Sequence, residues 1–329
     1  MSLVIHIGMQ KTGTTFLQQA LATNRAALAE RGLLYPSPAA GLPAGGGSAH
    51  HFLAHALLGW RVKYTPEGSF DLLEDHGAAL RALVADHPGT SVISSEDFSR
   101  MDRKQIKALR ALFPGDDVRI LVYLRRQDLW LDALYGQALK VGRQVDMDSF
   151  LARNRDRLDY RRFLQLWGRA FGKRNLIVRP YEGFEGGGLW QDFCTALGCP
   201  DAAALPIPET QVNVSLSHES STFLAGIADR ERRHRLRILL EEGEAAARRR
   251  PVLRHLDPTL ARALLAEYSD GNARIARRYL SRDQLFEDAR PRAARRRPGA
   301  MLRHALVARH LLRGLLASGR ANRRGLRNE

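Results

Sequence analysis

The sequence predicts an α/β protein: three layers built on a central parallel sheet, followed by a helical C-terminal region. Three observations carry this. Short runs rich in valine, isoleucine and leucine recur at 3–7, 91–95, 119–124 and 175–180, each the length of a buried strand. Helical patterns at 14–31, 72–85, 103–113, 127–141 and 157–171 separate them, and such alternation implies parallel strands covered on both faces. From 216 to 289 the pattern is helical and charge-laced, without a strand signal.

The first strand runs into a loop, "IGMQKTGTTF", and then into a helical pattern carrying Phe16, Leu17 and Leu21. A strand, a glycine loop and a helix N-terminus form a P-loop-like anion site, because the first-turn amides are unpaired and the helix dipole is positive there. The nucleotide-triphosphatase loop puts its lysine directly after the second glycine. Here Lys11 stands two residues before Gly13, and Thr14 and Thr15 follow it. Ligands of parallel sheets sit at the carboxyl ends of the strands, so this loop, Glu96 after "SVISS" and Arg125 after "RILVYL" are expected on one edge. Residues 36–49, rich in proline and glycine, read as a binding loop or lid.

The chain has 329 residues, 44% hydrophobic and 26% charged, which are globular values with room for a large core. No apolar run approaches the length of a membrane span. No leader of the secretory kind precedes the first strand, so a cytoplasmic location is expected. Cys194 and Cys199 have no further cysteine with which to build a zinc site and read as small packing residues. Residues 290–329 hold twelve arginines against one glutamate, eleven of the sixteen net positive charges. We therefore divide the chain into a catalytic domain, 1–289, helical from about 216, and a basic helical tail, 290–329. On a helical wheel of 301–316, Met301, Ala305, Ala308, Leu312, Leu315 and Leu316 share one side and arginines flank it. Such a helix suits an anionic membrane surface, here the inner membrane, or docking on the domain.

The loop "KTGTT" resembles that of sulfotransferases, which use it to bind the 5′-phosphosulfate of 3′-phosphoadenosine 5′-phosphosulfate. The segment "VYLRRQDLWLDALYGQ" (122–137) is similar to the strand, arginine and helix with which the family grips the 3′-phosphate, and "ISSEDFSR" (93–100) to the strand end where carbohydrate sulfotransferases carry a glutamate base. Later segments have the look of bacterial members acting on surface saccharides. The resemblance implies donor binding by Lys11, Thr12, Gly13, Thr14, Thr15 and Arg125, with Lys11 also following charge on the bridging oxygen. Glu96 becomes the general base, and His51 the other candidate. It implies the product 3′,5′-adenosine diphosphate, a saccharide or glycolipid acceptor, and no metal requirement. Two positions depart from the pattern: Ala133 stands where a serine usually meets the 3′-phosphate, and Asp97 where a lysine usually follows the glutamate. "QVNVSLSHES" (211–220) resembles the segment that closes the cofactor site in bacterial relatives.

The chemistry agrees with these residue types. Sulfuryl transfer, like phosphoryl transfer, rests on in-line positioning and charge stabilisation; a lysine and helix amides neutralise the leaving nucleotide without magnesium. His51 and His55 stand at i and i+4 but lack the glutamate of a zinc-protease motif, so they read as substrate-loop or surface histidines. A P-loop kinase or nucleotide triphosphatase would share the sheet, but no lysine follows Gly13. Nucleic-acid binding is the other alternative, prompted by a pI near 10.6. The tail has no Phe, Trp or Tyr for base stacking, and no recognition motif for nucleic acid appears, so no specific nucleic-acid partner is expected.

Overall fold

In the computed structural model of the chain, which describes residues 2–38, 40, 47–60, 73–115, 117–182, 184, 188–207, 216–246, 255–287, 305–313 and 315, strand β1 (Ser2–His6) is central. It pairs in parallel with β3 (Thr90–Ser94) on one side and β4 (Val118–Leu124) on the other. Beyond β3 lies β2 (Leu33–Leu34), and beyond β4 lies β5 (Leu176–Pro180), giving the order β2-β3-β1-β4-β5 with every pair parallel. Four of these strands are the expected ones. The two-residue β2 is too short to show a pattern in "RGLLYP".

The helices are α1 (Thr14–Thr23), α2 (Arg25–Ala29), α3 (His51–Leu58), α4 (Leu73–Asp86), α5 (Arg103–Leu112), α6 (Gln127–Lys140), α7 (Met147–Asn154), α8 (Tyr160–Phe171), α9 (Gly188–Ala196), α10 (His218–Ala225), α11 (Arg230–Ala246) and α12 (Pro258–Leu280). The helix expected over 14–31 breaks at Asn24. That side chain is buried and donates to the carbonyls of Ala20 (2.9 Å) and Pro206 (2.8 Å), a local bond that competes with helix continuation.

Two compact units share the chain. The first comprises Met1–Arg126, Asp159–Thr210 and Asp270–Glu287, the second Gln127–Leu158, Gln211–Ser269 and Asp288–Glu329. In the first, one face of the sheet offers Val4, Val92, Leu121 and Tyr123 to α1, α2 and α9, through Leu17, Leu21, Leu28, Trp190, Phe193 and Cys194. The alternate positions, Leu3, Ile5, Ile93, Ile120 and Val122, are equally buried. Helix α8 packs on β4 and β5 and carries α5 against it. Its buried Tyr160, Leu164, Trp167 and Phe171 recur at the i, i+4, i+7, i+11 spacing of one helical face. Both cysteines are free, and burial pushes the Cys194 thiol up to about 12.

In the second unit, residues 305–313 are helical. Val307 and Leu311 pack on Leu216, Leu224 and Leu240. This corrects the helical wheel: the packed stripe is Val307 and Leu311, one turn apart, whereas Leu312 and Leu315 are 59% and 56% exposed. Leu312 lies about 100° around the axis from Leu311, so the helix carries two apolar stripes, and among the described residues one is covered while Leu312 and Leu315 are exposed. Met301, Leu316, Asn213, most of the basic tail and much of the loop 36–49 lie outside the described residues.

Helix α5 starts with a reciprocal cap: Asp102 accepts from the N–H groups of Lys104 and Gln105, and the Gln105 side chain accepts from Asp102 N–H. Asp102→Ala is expected to lower unfolding free energy by about 1 kcal/mol, measured by urea denaturation.

Candidate functional site

The loop after β1 owes its shape to two backbone positions. Lys11 has φ 66° and Gly13 has φ 74°. For a lysine this conformation costs on the order of 1 kcal/mol or more, and strain of that kind collects where a ligand needs the backbone in a fixed form. At Gly13 any other residue would be strained by the positive φ, and a Cβ there would displace the Leu189 methyl and come within 3.4 Å of the Tyr181 ring. A Cβ on Gly8 would lie 2.5 Å from the Thr14 hydroxyl. Helix α1 opens at Gly13 with no side chain capping it and no acidic residue in its first turn, which leaves first-turn amides suited to an anion.

The three threonines divide. Thr12, wholly buried, donates its hydroxyl to the Met9 carbonyl at 2.6 Å, and Thr14, also buried, donates to the same oxygen at 3.3 Å. Both brace the loop from inside, where the sequence reading had all three facing a ligand. Thr15 is exposed.

Arg125 lies one residue beyond β4 and meets this loop. Its Nη1 donates to the Lys11 carbonyl at 2.9 Å, and its guanidinium stands 5.7 Å from the centre of the Tyr181 ring. The backbone beneath is fixed too: Tyr181 N–H donates to the Leu124 carbonyl at 2.7 Å, and the Tyr160 hydroxyl donates to the Arg125 carbonyl. The Arg125 side chain and the Lys11 backbone, 114 residues apart in sequence, thus meet at one edge of the sheet.

Glu96, half-buried, begins a short 3-10 turn (Glu96–Arg100) at the end of β3. Ser95 caps the turn, its Oγ accepting from Asp97 N–H at 3.2 Å. Helix α3 is stitched to the same strand end: His50 N–H donates to the Ser94 carbonyl at 2.8 Å, and Ser94 N–H donates to His50 Nδ1 at 3.2 Å. This carries His51 to the turn, with its Nδ1 2.9 Å from Ser95 Oγ. His55, one turn on, places Nε2 2.8 Å from Asp97 Oδ2, and Arg100 Nε lies 3.3 Å from Asp97 Oδ1. Burial lowers the His51 pKa, opposed by the attraction of Asp97. Burial works against the Asp97 carboxylate, but the His55 hydrogen bond and the charges of His55, His51 and Arg100 hold its pKa below the usual value.

Sequence reasoning missed the polar network beneath. His6 Nδ1 is 2.8 Å from Ser94 Oγ, and Gln18 Nε2 donates to that same oxygen at 3.1 Å. Burial pushes His6 and His50 down to about 3, so both are neutral and serve as hydrogen-bonding struts between β1, α1, β3 and α3. A histidine inside the otherwise apolar "LVIHI" was the available signal. A separate groove of about 670 Å³, lined by Lys173, Arg174, Arg274, Arg277 and Arg278, lies at Leu176, the amino end of β5. That is the opposite end of the strands from the loop, and the groove's lining has no carboxylate or imidazole for proton transfer.

Comparison with known proteins adds the following. No family profile matches the chain. An uncharacterized protein of Archaeoglobus fulgidus is 34% identical over 140 residues, covering 41% of this chain; the chain spans 37% of that relative's length. A sulfotransferase from Alicyclobacillus acidocaldarius aligns in structure over 63% of this chain and 87% of its own, with 17% identity and a TM-score of 0.40.

Proposed function

We propose that the chain is a sulfotransferase, moving a sulfuryl group from 3′-phosphoadenosine 5′-phosphosulfate to a hydroxyl of a saccharide or glycolipid acceptor. The observation that carries this reading is the 2.9 Å hydrogen bond from Arg125 Nη1 to the Lys11 carbonyl. It joins the two motifs that resemble the 5′- and 3′-phosphate grips of that family, and joins them at an uncapped helix N-terminus. The close-packed Gly8 backbone and the left-handed turns at Lys11 and Gly13 form a cradle of the kind a phosphate needs.

When bound, the donor supplies the sulfuryl group and a nucleotide leaving group. The residues would act as follows. Glu96 takes the proton of the acceptor hydroxyl as its oxygen bonds to sulfur. The bond from sulfur to the 5′-phosphate oxygen breaks, and Lys11 with the α1 amides stabilises the charge left on that phosphate. Arg125 offers a planar fork to the 3′-phosphate. Thr12 and Thr14 keep the cradle rigid, which cuts the reorganisation needed as charge develops.

No helix among the described residues is long and apolar enough to cross a membrane. Peripheral contact with an anionic membrane through the tail extends the proposal, supported by exposed Leu312 and Leu315 beside Arg309 and Arg313. Lipid-linked saccharides would be presented at such a surface.

Three outcomes are expected. Calorimetry with 3′,5′-adenosine diphosphate should show Arg125→Ala weakening binding by about 1.5–3 kcal/mol, and Lys11→Ala should lower turnover roughly 10²- to 10³-fold; equal nucleotide binding by wild type and Arg125→Ala would remove the 3′-phosphate assignment. Glu96→Gln should cut turnover by about 10²–10⁴ while nucleotide affinity holds; full activity in that variant would move the base to His51. In co-sedimentation with phosphatidylserine vesicles, the Leu312→Asp/Leu315→Asp double variant should bind at least about tenfold more weakly than wild type; equal binding would exclude the tail stripe.

A further inference from the structure

We propose that His51, His55 and Asp97 form a binding site for a divalent transition-metal ion of the zinc class, clamping α3 to the turn that begins at Glu96. The three side chains come from two elements, yet one donor atom from each lies within 4.8 Å of the others. His51 and His55 project from one face of α3, with ring planes 10° apart and centroids 5.7 Å apart. Asp97 Oδ2 is the shared apex, 2.8 Å from His55 Nε2 and 3.5 Å from His51 Nδ1. Donors of a tetrahedral zinc ion lie about 3.3 Å apart, given zinc–ligand bonds of roughly 2.0–2.1 Å, so the two Asp97 spacings lie either side of the required one.

The surroundings have the form a metal site needs. Arg100 Nε engages Asp97 through the other oxygen, Oδ1, at 3.3 Å, which leaves Oδ2 for the ion and orients the carboxylate as an outer partner does. On binding, His51 Nδ1 would exchange Ser95 Oγ, now 2.9 Å away, for the ion. The His51 side chain is 39% exposed against 18% for His55 and 14% for Asp97, so a fourth position faces solvent on the His51 side. Two imidazoles and one carboxylate with an open position suit Zn²⁺, Co²⁺ or Fe²⁺ over Mg²⁺ or Ca²⁺, which prefer oxygen ligands throughout. Sequence spacing could not reveal the site, because the third ligand lies 42 residues from His55.

The test is separable from the sulfuryl-transfer reading, since it involves neither donor nor acceptor, although a metal-bound His51 would be excluded as the alternative base. Full-length protein is stripped with chelator, dialysed and titrated calorimetrically with Zn²⁺, and separately with Co²⁺ followed by visible absorption. The expectation is one equivalent bound per chain and a tetrahedral Co²⁺ spectrum without a thiolate charge-transfer band. His55→Gln and Asp97→Asn should each weaken Zn²⁺ binding by about 100-fold or more, with circular dichroism of the metal-free variants reporting whether they fold. Absence of Zn²⁺ binding by wild type, unchanged affinity in either folded variant, or a thiolate band pointing to Cys194 or Cys199 would each overturn the proposal. Should a variant not fold, the wild-type stoichiometry and Co²⁺ spectrum decide.

Discussion

The register of β1 between β3 and β4 is the constraint on which the site depends. His6 stands opposite Ser94 on one side and Leu121 on the other. In a parallel sheet this aligns three carboxyl ends, so the loop after His6, the turn after Ser94 and the arginine after Leu124 emerge together. A slip of one residue would exchange the two faces of β1, bringing Ile5 to the face that packs on α9 and taking His6 from Ser94. The buried polar network acts against such a slip. Ser94 meets His6, Gln18 and His50 at once, and a buried polar group deprived of its partner costs about 1–3 kcal/mol. The apolar core sets the layers; these few polar contacts fix the register.

Local strain and local rigidity then work together at the loop. Lys11 adopts a backbone conformation that lysine disfavours, and the surroundings hold it there: Thr12 and Thr14 both anchor to the Met9 carbonyl, Arg125 grips the Lys11 carbonyl, and Leu189 closes over Gly13. An oxygen that accepts two hydroxyls cannot drift without losing both. Thr12 and Thr14 therefore contribute to the loop's shape, and on the proposed reading direct contacts with an anion would fall to amides, Lys11, Thr15 and Arg125.

Much of this was legible in the sequence, and the limits have physical causes. Strands at 3–7, 91–95, 119–124 and 175–180 announced themselves because strands buried on both faces must be continuously apolar, and the observed bounds differ by a residue or so. The meeting of the loop and Arg125 at one edge was legible because both directly follow strands of a parallel sheet, whose carboxyl ends lie together. The direction of Thr12 and Thr14 was not, since a hydroxyl beside a phosphate loop serves equally as ligand or brace and only the backbone torsions decide. The break at Asn24 depended on a carbonyl at Pro206, 182 residues away. The tail's two apolar stripes could be counted on a wheel, but which one packs depends on Leu216, Leu224 and Leu240.

The edge so assembled is electrically divided. On the β1–β4 side stand Lys11 and Arg125 with the positive end of α1; on the β3 side stand Glu96 and Asp97 with the imidazoles of His51 and His55. On the proposed reading, a nucleotide bearing several negative charges would be attracted to the first side and repelled by the second, which would orient it along the edge before specific contacts form. On that same reading, Glu96 would lie beyond the phosphates, on the side left for a hydroxyl acceptor. Asp97 would add to the repulsion of an anion there, but it is engaged by His55 and Arg100, which confines its charge. On the proposed reading, the same partition that selects an anionic donor on one side selects a neutral hydroxyl on the other.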